Sequence, residues 1–194
     1  MTDIQTFWSW FEDHAQDIHM HLEEDPEGYA VLIHEQLIQL HPDLVFDIPF
    51  EQVDECHELI LSADGDASLF PLIDTIVTSA PIISNWIIHD LRPRTNQIDQ
   101  AIDLDGLYLE YEDIFYSVEQ EDIPLQLTIY IRNYDDQDNR YVHGFFLLLD
   151  TLLGERNAVV YTETIAIHPY RDDVDAKRFV TLRDLFDSLN KKKS

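Results

Sequence analysis

Arg92 and Arg94, on either side of Pro93, are the first cationic side chains in the chain, and nineteen acidic residues precede them. A guanidinium presents planar, paired N–H donors that grip a carboxylate or phosphate bidentately. Two readings follow: the pair holds an anionic ligand at the exit of a strand, or nearby carboxylates hold the pair in a surface network. Glu110 and Glu112, in LYLEYEDIF, would project to the same side of a regular strand. That spacing suits two carboxylates near one cation, or acid–base work, and equally suits the solvated face of a strand in an acidic protein. Asp150 and Glu155 bracket LDTLLGE, where Asp150 either faces polar surroundings or anchors one of the arginines.

Other chemistry finds less support. Asp135, Asp136 and Asp138 lie close together in NYDDQDNRY, yet the glycine and glutamate that a calcium loop requires are missing from their positions, so a turn and helix cap account for them. Seven of the nine histidines come before Arg92, and none forms an HExxH pair. No metal site and no cofactor are expected. There is no GxSxG elbow, no Walker sequence and no dinucleotide glycine pattern, which leaves enzymatic activity open.

The elements that must position these residues are legible from periodicity. Ile4, Phe7, Trp8, Phe11, Ala15, Ile18 and Leu22 recur at helical steps, with Thr2 and Gln5 as a capping box. Asp25-Pro26 opens a second helix whose inner face is Ala30, Ile33, Leu37 and Leu40. Leu44, Phe46 and Ile48 alternate as one side of a strand, which can pair as a hairpin with a second strand over 58–62. The clearest unit spans 57–94: strand, Asp64-Gly65 turn, helix over 69–79 capped by Asp66 or Ser68, and strand over 85–91. Residues 95–105 are weakly patterned, a short helix or loop and the best internal seam of one domain over 1–190. Strands are expected over 107–111, 114–119 and 125–132 as an antiparallel meander. In the last, Leu125, Leu127, Ile129 and Ile131 oppose Gln126, Thr128, Tyr130 and Arg132. A helix capped by Asp138 and ended by Gly154 presents Val142, Phe145, Phe146, Leu149, Leu152 and Leu153. A strand over 158–167 and a final helix with Leu182, Leu185, Phe186 and Leu189 inward complete the chain. This order predicts an α+β or mixed α/β layered sandwich, with a mainly antiparallel mixed sheet covered by helices.

The 194 residues carry 39 Asp and Glu against 12 Lys and Arg, a formal net charge of -27. Such a chain gains little from phosphates, so direct nucleic-acid binding and anionic membranes are disfavoured; a basic protein partner or a bound cation fits the charge better, and a well-solvated acidic surface or adaptation to salt accounts for it without any partner. Cys56 is the single cysteine, which rules out an internal disulfide. With neither a signal segment nor an apolar run long enough to span a bilayer, a cytoplasmic location is expected.

The segment ELILSADGDASLFPLIDTIVTSAPIISNWIIHDLRPR, with FWSWF before it and LLLDTLLGE after it, resembles a family of small uncharacterised bacterial cytosolic proteins. The matching residues are Trp8, Trp10, Phe11, Ser62, Ala63, Gly65, Ala80, Pro81, Trp86, Arg92, Pro93, Arg94, Leu149, Asp150, Leu153, Gly154 and Glu155. The resemblance implies a bacterial cytosolic domain and transfers no mechanism. The leading functional expectation is a noncatalytic acidic protein-binding domain, an inhibitor or immunity-type factor for a basic partner. The alternative is a small-molecule-binding domain or enzyme that uses Arg92 and Arg94 to hold an anionic ligand.

Overall fold

The computed structural model describes residues 3–95 and 101–193, the side chains of 192 and 193 excepted. The Thr2 cap and the 96–100 part of the weakly patterned segment lie outside the described residues. The fold is mixed α/β, with mainly antiparallel mixed sheets flanked by helices. It divides into two compact units, Met1–Arg92 and Pro93–Ser194, at a boundary just ahead of the 95–105 segment.

In the first unit, helix α1 (Asp3–His21) buries Phe7, Trp8, Phe11, Ala15 and Ile18, the expected apolar face. Its attachment is specified by two indoles. Trp8 Nε1 donates to the Ile76 carbonyl at 2.9 Å, and Trp86 Nε1 donates to the Ala15 carbonyl at 3.0 Å. Helix α2 (Pro26–Leu37) starts where Asp25 accepts from the Gly28 amide, and it buries only Ile33 and Leu37. Ala30, expected inside, is exposed. Strand β1 (Val45–Asp47) runs antiparallel to β2 (His57–Ser62), and β3 (Trp86–Asp90) runs parallel to β2. The crossover is the expected one: Asp64 and Gly65 turn the chain with φ of 47° and 88°, Asp66 caps Ser68, and α3 (Phe70–Thr78) follows. Pro71 falls in the first turn of α3, where its missing N–H has no intrahelical acceptor to serve.

In the second unit the expected three-strand meander is replaced by a different pairing. Leu107–Leu109 (β5) pairs with Ile102–Leu104 (β4) in a separate hairpin, because the segment read as weakly patterned holds a strand. Strand β6 (Ile114–Val118) and β7 (Leu125–Ile131) are antiparallel as expected. Helix α4 (Asn139–Leu153) starts at the Asp138 cap and presses Gly144 against the hairpin: an added Cβ would lie 3.1 Å from Leu109 Cδ2 and 3.2 Å from Leu104 Cδ1. Phe145, Leu149, Leu152 and Leu153 are buried, while Phe146 is exposed. Residues Glu155–Val160 form helix α5, so the strand expected from 158 begins only at Thr162; β8 (Thr162–Pro169) then runs parallel to β7. Strand β9 (Lys177–Arg178) closes the order β8-β7-β6-β9, and α6 (Leu182–Lys193) supplies Leu182, Phe186 and Leu189 to the core.

Gly154 ends α4 at φ 85° and ψ 134°, with the Arg94 amide nitrogen 3.4 Å from the place a Cβ would take. Side-chain-bearing residues avoid that conformation. Gly154→Ala should destabilise the second unit by about 2 kcal/mol, read as a lowered urea midpoint. Gly65→Ala, at φ 88° with no atom within 4 Å of its added Cβ, should cost less.

Candidate functional site

Each unit contains one strand–helix–strand crossover between parallel neighbours, β2 to β3 and β7 to β8. Ligands in such sheets gather beyond the carboxyl ends of the parallel strands. Arginines stand at both places, and the two units treat them differently.

In the first unit Arg92 follows β3 and is 10% exposed. Its Nε donates to Asp47 Oδ2 at 2.7 Å, and its Nη1 reaches Asp64 Oδ1 at 3.4 Å. Asp47 ends β1 and Asp64 lies just past β2, so carboxylates of the same sheet fill the arginine's donors. Arg94 belongs to the second unit, where Nη1 and Nη2 form a bidentate pair with Asp187 of α6 at 2.7 and 2.8 Å. The carboxylate holds the Arg94 pKa above its ordinary value, and the same bond lowers that of Asp187. Both arginines are engaged within their own units.

The remaining sequence candidates are equally placed by the fold. Glu110 and Glu112 do not share a strand: β5 ends at Leu109 and a short 3-10 turn over Tyr111–Asp113 follows. The Glu110 amide donates to Asp113, and Glu112 pairs with Arg178 at 3.1 Å. Asp150 and Glu155 are buried, and neither lacks a partner. Asp135 and Asp138 accept from the amides of Gln137 and Arg140 in the expected turn and cap. Among the described residues no three His, Cys, Asp or Glu side chains assemble a metal site, and no helix is long and apolar enough to cross a membrane.

The second unit's other strand ends hold a site that these expectations passed over. Arg132 directly follows β7, and Tyr170 and Arg171 directly follow β8. The Tyr170 amide donates to the Ile131 carbonyl at 2.8 Å, and the Arg132 amide donates to the Asp113 carbonyl at 2.9 Å, which fixes both strand exits. Strand alternation puts Phe115, Tyr130 and Arg132 on the face opposite the Leu125–Ile131 core stripe. Phe115 and Tyr170 stack with centroids 4.2 Å apart. The Arg132 guanidinium carbon lies 5.1 Å from the Phe115 centroid and 4.7 Å from that of Tyr170. A cation held by ring faces keeps its in-plane N–H donors available. Asn133, at φ 53°, turns the chain away. Arg132, Asn133, Tyr170, Arg171 and Asp172 line a recess of about 270 Å3. Among the described residues neither Arg132 nor Arg171 has a carboxylate partner. Sequence gave one usable signal, an arginine immediately after an alternating strand. It could not show that the Tyr170-Arg171 exit lies beside it.

Comparison with protein-family models, curated proteins and solved structures yields no match.

The first unit has one buried titratable group of note. His57 is 1% exposed, its Nδ1 has no hydrogen-bond partner, and its ring sits 5.1 Å from that of His19 and 5.4 Å from that of Trp86. Burial pushes its pKa down, and the His19 imidazole adds to the shift, while the His19 backbone and Glu23 oppose it. A depressed folded-state value means that the unfolded chain takes the proton first as pH falls below about 6.5. Stability is therefore retained above that pH and lost below it until the folded pKa is passed. His57→Phe should reduce the fall in urea midpoint between pH 7.5 and 5.5, followed by tryptophan fluorescence; an unchanged fall would show that other groups carry it.

Proposed function

We propose that the second unit is an anion-binding domain that takes a small carboxylate- or phosphate-bearing molecule at the ends of β7 and β8. One observation carries this reading: in a chain with 39 acidic residues, Arg132 rests against the Phe115–Tyr170 stack beside Arg171, and neither is neutralised by a carboxylate among the described residues. Two guanidinium groups at one recess supply bidentate, charge-assisted donors. The volume suits a compact anion or the charged end of a longer ligand. Asp172 on the same wall selects against bulky polyanions and offers an acceptor to a ligand hydroxyl or ammonium group. Arg92 and Arg94, the pair named for this work in the alternative reading, instead have Asp47, Asp64 and Asp187 in the position an anionic ligand would need, as the surface-network reading of the pair expects. A cytoplasmic setting belongs to the same proposal, supported by the lone Cys56.

Binding should appear as localised amide shifts at 131–134 and 170–172 when inorganic phosphate or acetate is titrated against a chloride control of equal ionic strength. Arg171→Gln should weaken binding about tenfold, the worth of one charge-assisted bond. Arg132→Lys keeps the charge but loses the planar fork, and should also weaken binding. Equal affinity in the protein and both variants would overturn the reading.

A further inference from the structure

Helix α2 turns most of its apolar side chains outward. Ile33 and Leu37 are buried, while Val31, Leu32 and the C-capping Ile38 are 56%, 43% and 36% exposed. Val31 and Ile38 stand two turns apart, on one side of the helix, with Glu27 and Glu35 on that side and Leu32 beside it. Glu24, Asp25, Glu27 and Glu35 are exposed around this face. The first unit contains a single Lys or Arg, Arg92, which is already held by Asp47 and Asp64. A helix with apolar residues on both its faces has a surface suited to a partner.

Charge decides which occupant fits. A second copy would bring another net charge of -27 to the contact, and an anionic bilayer would be repelled in the same way. We propose that the outward face of α2 docks a cationic amphipathic helix of another protein. The partner's Leu or Ile residues would cover Val31, Leu32 and Ile38, and its Lys or Arg residues would meet Glu27 and Glu35. Helix-on-helix docking of this kind reads anchors at steps of three and four residues. The surface is independent of the Arg132 recess: either can fail without the other.

The test uses the full chain and a labelled synthetic helix with Leu at core heptad positions and Lys elsewhere, read by fluorescence anisotropy. A scrambled peptide of equal composition is the control. Binding of the amphipathic peptide should exceed that of the scrambled one by about tenfold or more. The paired change Val31→Ser and Leu32→Ser should remove most of that difference. Both residues are exposed, so the variant should keep the circular dichroism and urea midpoint of the parent. Glu27→Gln with Glu35→Gln should weaken binding at low salt and flatten its salt dependence. Equal binding of the two peptides would reduce the effect to bulk charge and overturn the proposal. So would undiminished binding by the serine variant, or α2-dependent dimerisation in sedimentation equilibrium.

Discussion

Repulsion among carboxylates is the constraint to which the rest of this structure answers. With 39 acidic side chains and 12 Lys and Arg, ion pairing can neutralise only a minority of the charge. Cohesion has to come from apolar burial and neutral hydrogen bonds. The first unit shows this most plainly. α1 carries no Lys or Arg, and it is held by Phe7, Trp8 and Phe11 together with two indole-to-carbonyl bonds. Several carboxylates are used as acceptors for backbone amides instead: Asp25 at α2, Asp66 ahead of α3 and Asp138 at α4. Those caps place negative charge near helix N-termini, where the backbone favours it.

Scarcity of cations gives each arginine's environment meaning. Arg92 ties three positions around the first sheet through Asp47 and Asp64, and Arg94 fixes the first residues of the second unit to α6 through Asp187. Arg140 braces the α4 cap and the carbonyls of Leu104 and Asp105, and Arg178 meets Glu112. Arg132 departs from this pattern. Its neighbours are the faces of Phe115 and Tyr170, which hold the cation without consuming its donors.

The parallel crossovers make the contrast a controlled one. Both units carry an arginine beyond the carboxyl end of a parallel strand. In the first, the adjoining antiparallel strand ends in Asp47 and the turn begins with Asp64, so the donors are filled internally. In the second, the neighbouring exit supplies Tyr170 and Arg171, a ring and a second cation.

The elements whose cause is local can be read from the residues alone. The α1 stripe, the Asp25, Asp66 and Asp138 caps, the Asp64-Gly65 turn, the Gly154 stop and the β6–β7 pairing all follow from short-range periodicity and backbone preference. Periodicity misplaced Ala30 and Phe146, because helical spacing does not say how wide the covered stripe is. It also missed β4 and the short α5, where the apolar pattern is too brief to separate helix from strand. Long-range packing is what sets β8 parallel to β7 and brings Arg132 and Arg171 to one recess across the intervening α4 and α5. Alternation tells which face a side chain takes; which strand lies alongside is set by how the connecting helices pack, and no local spacing encodes that.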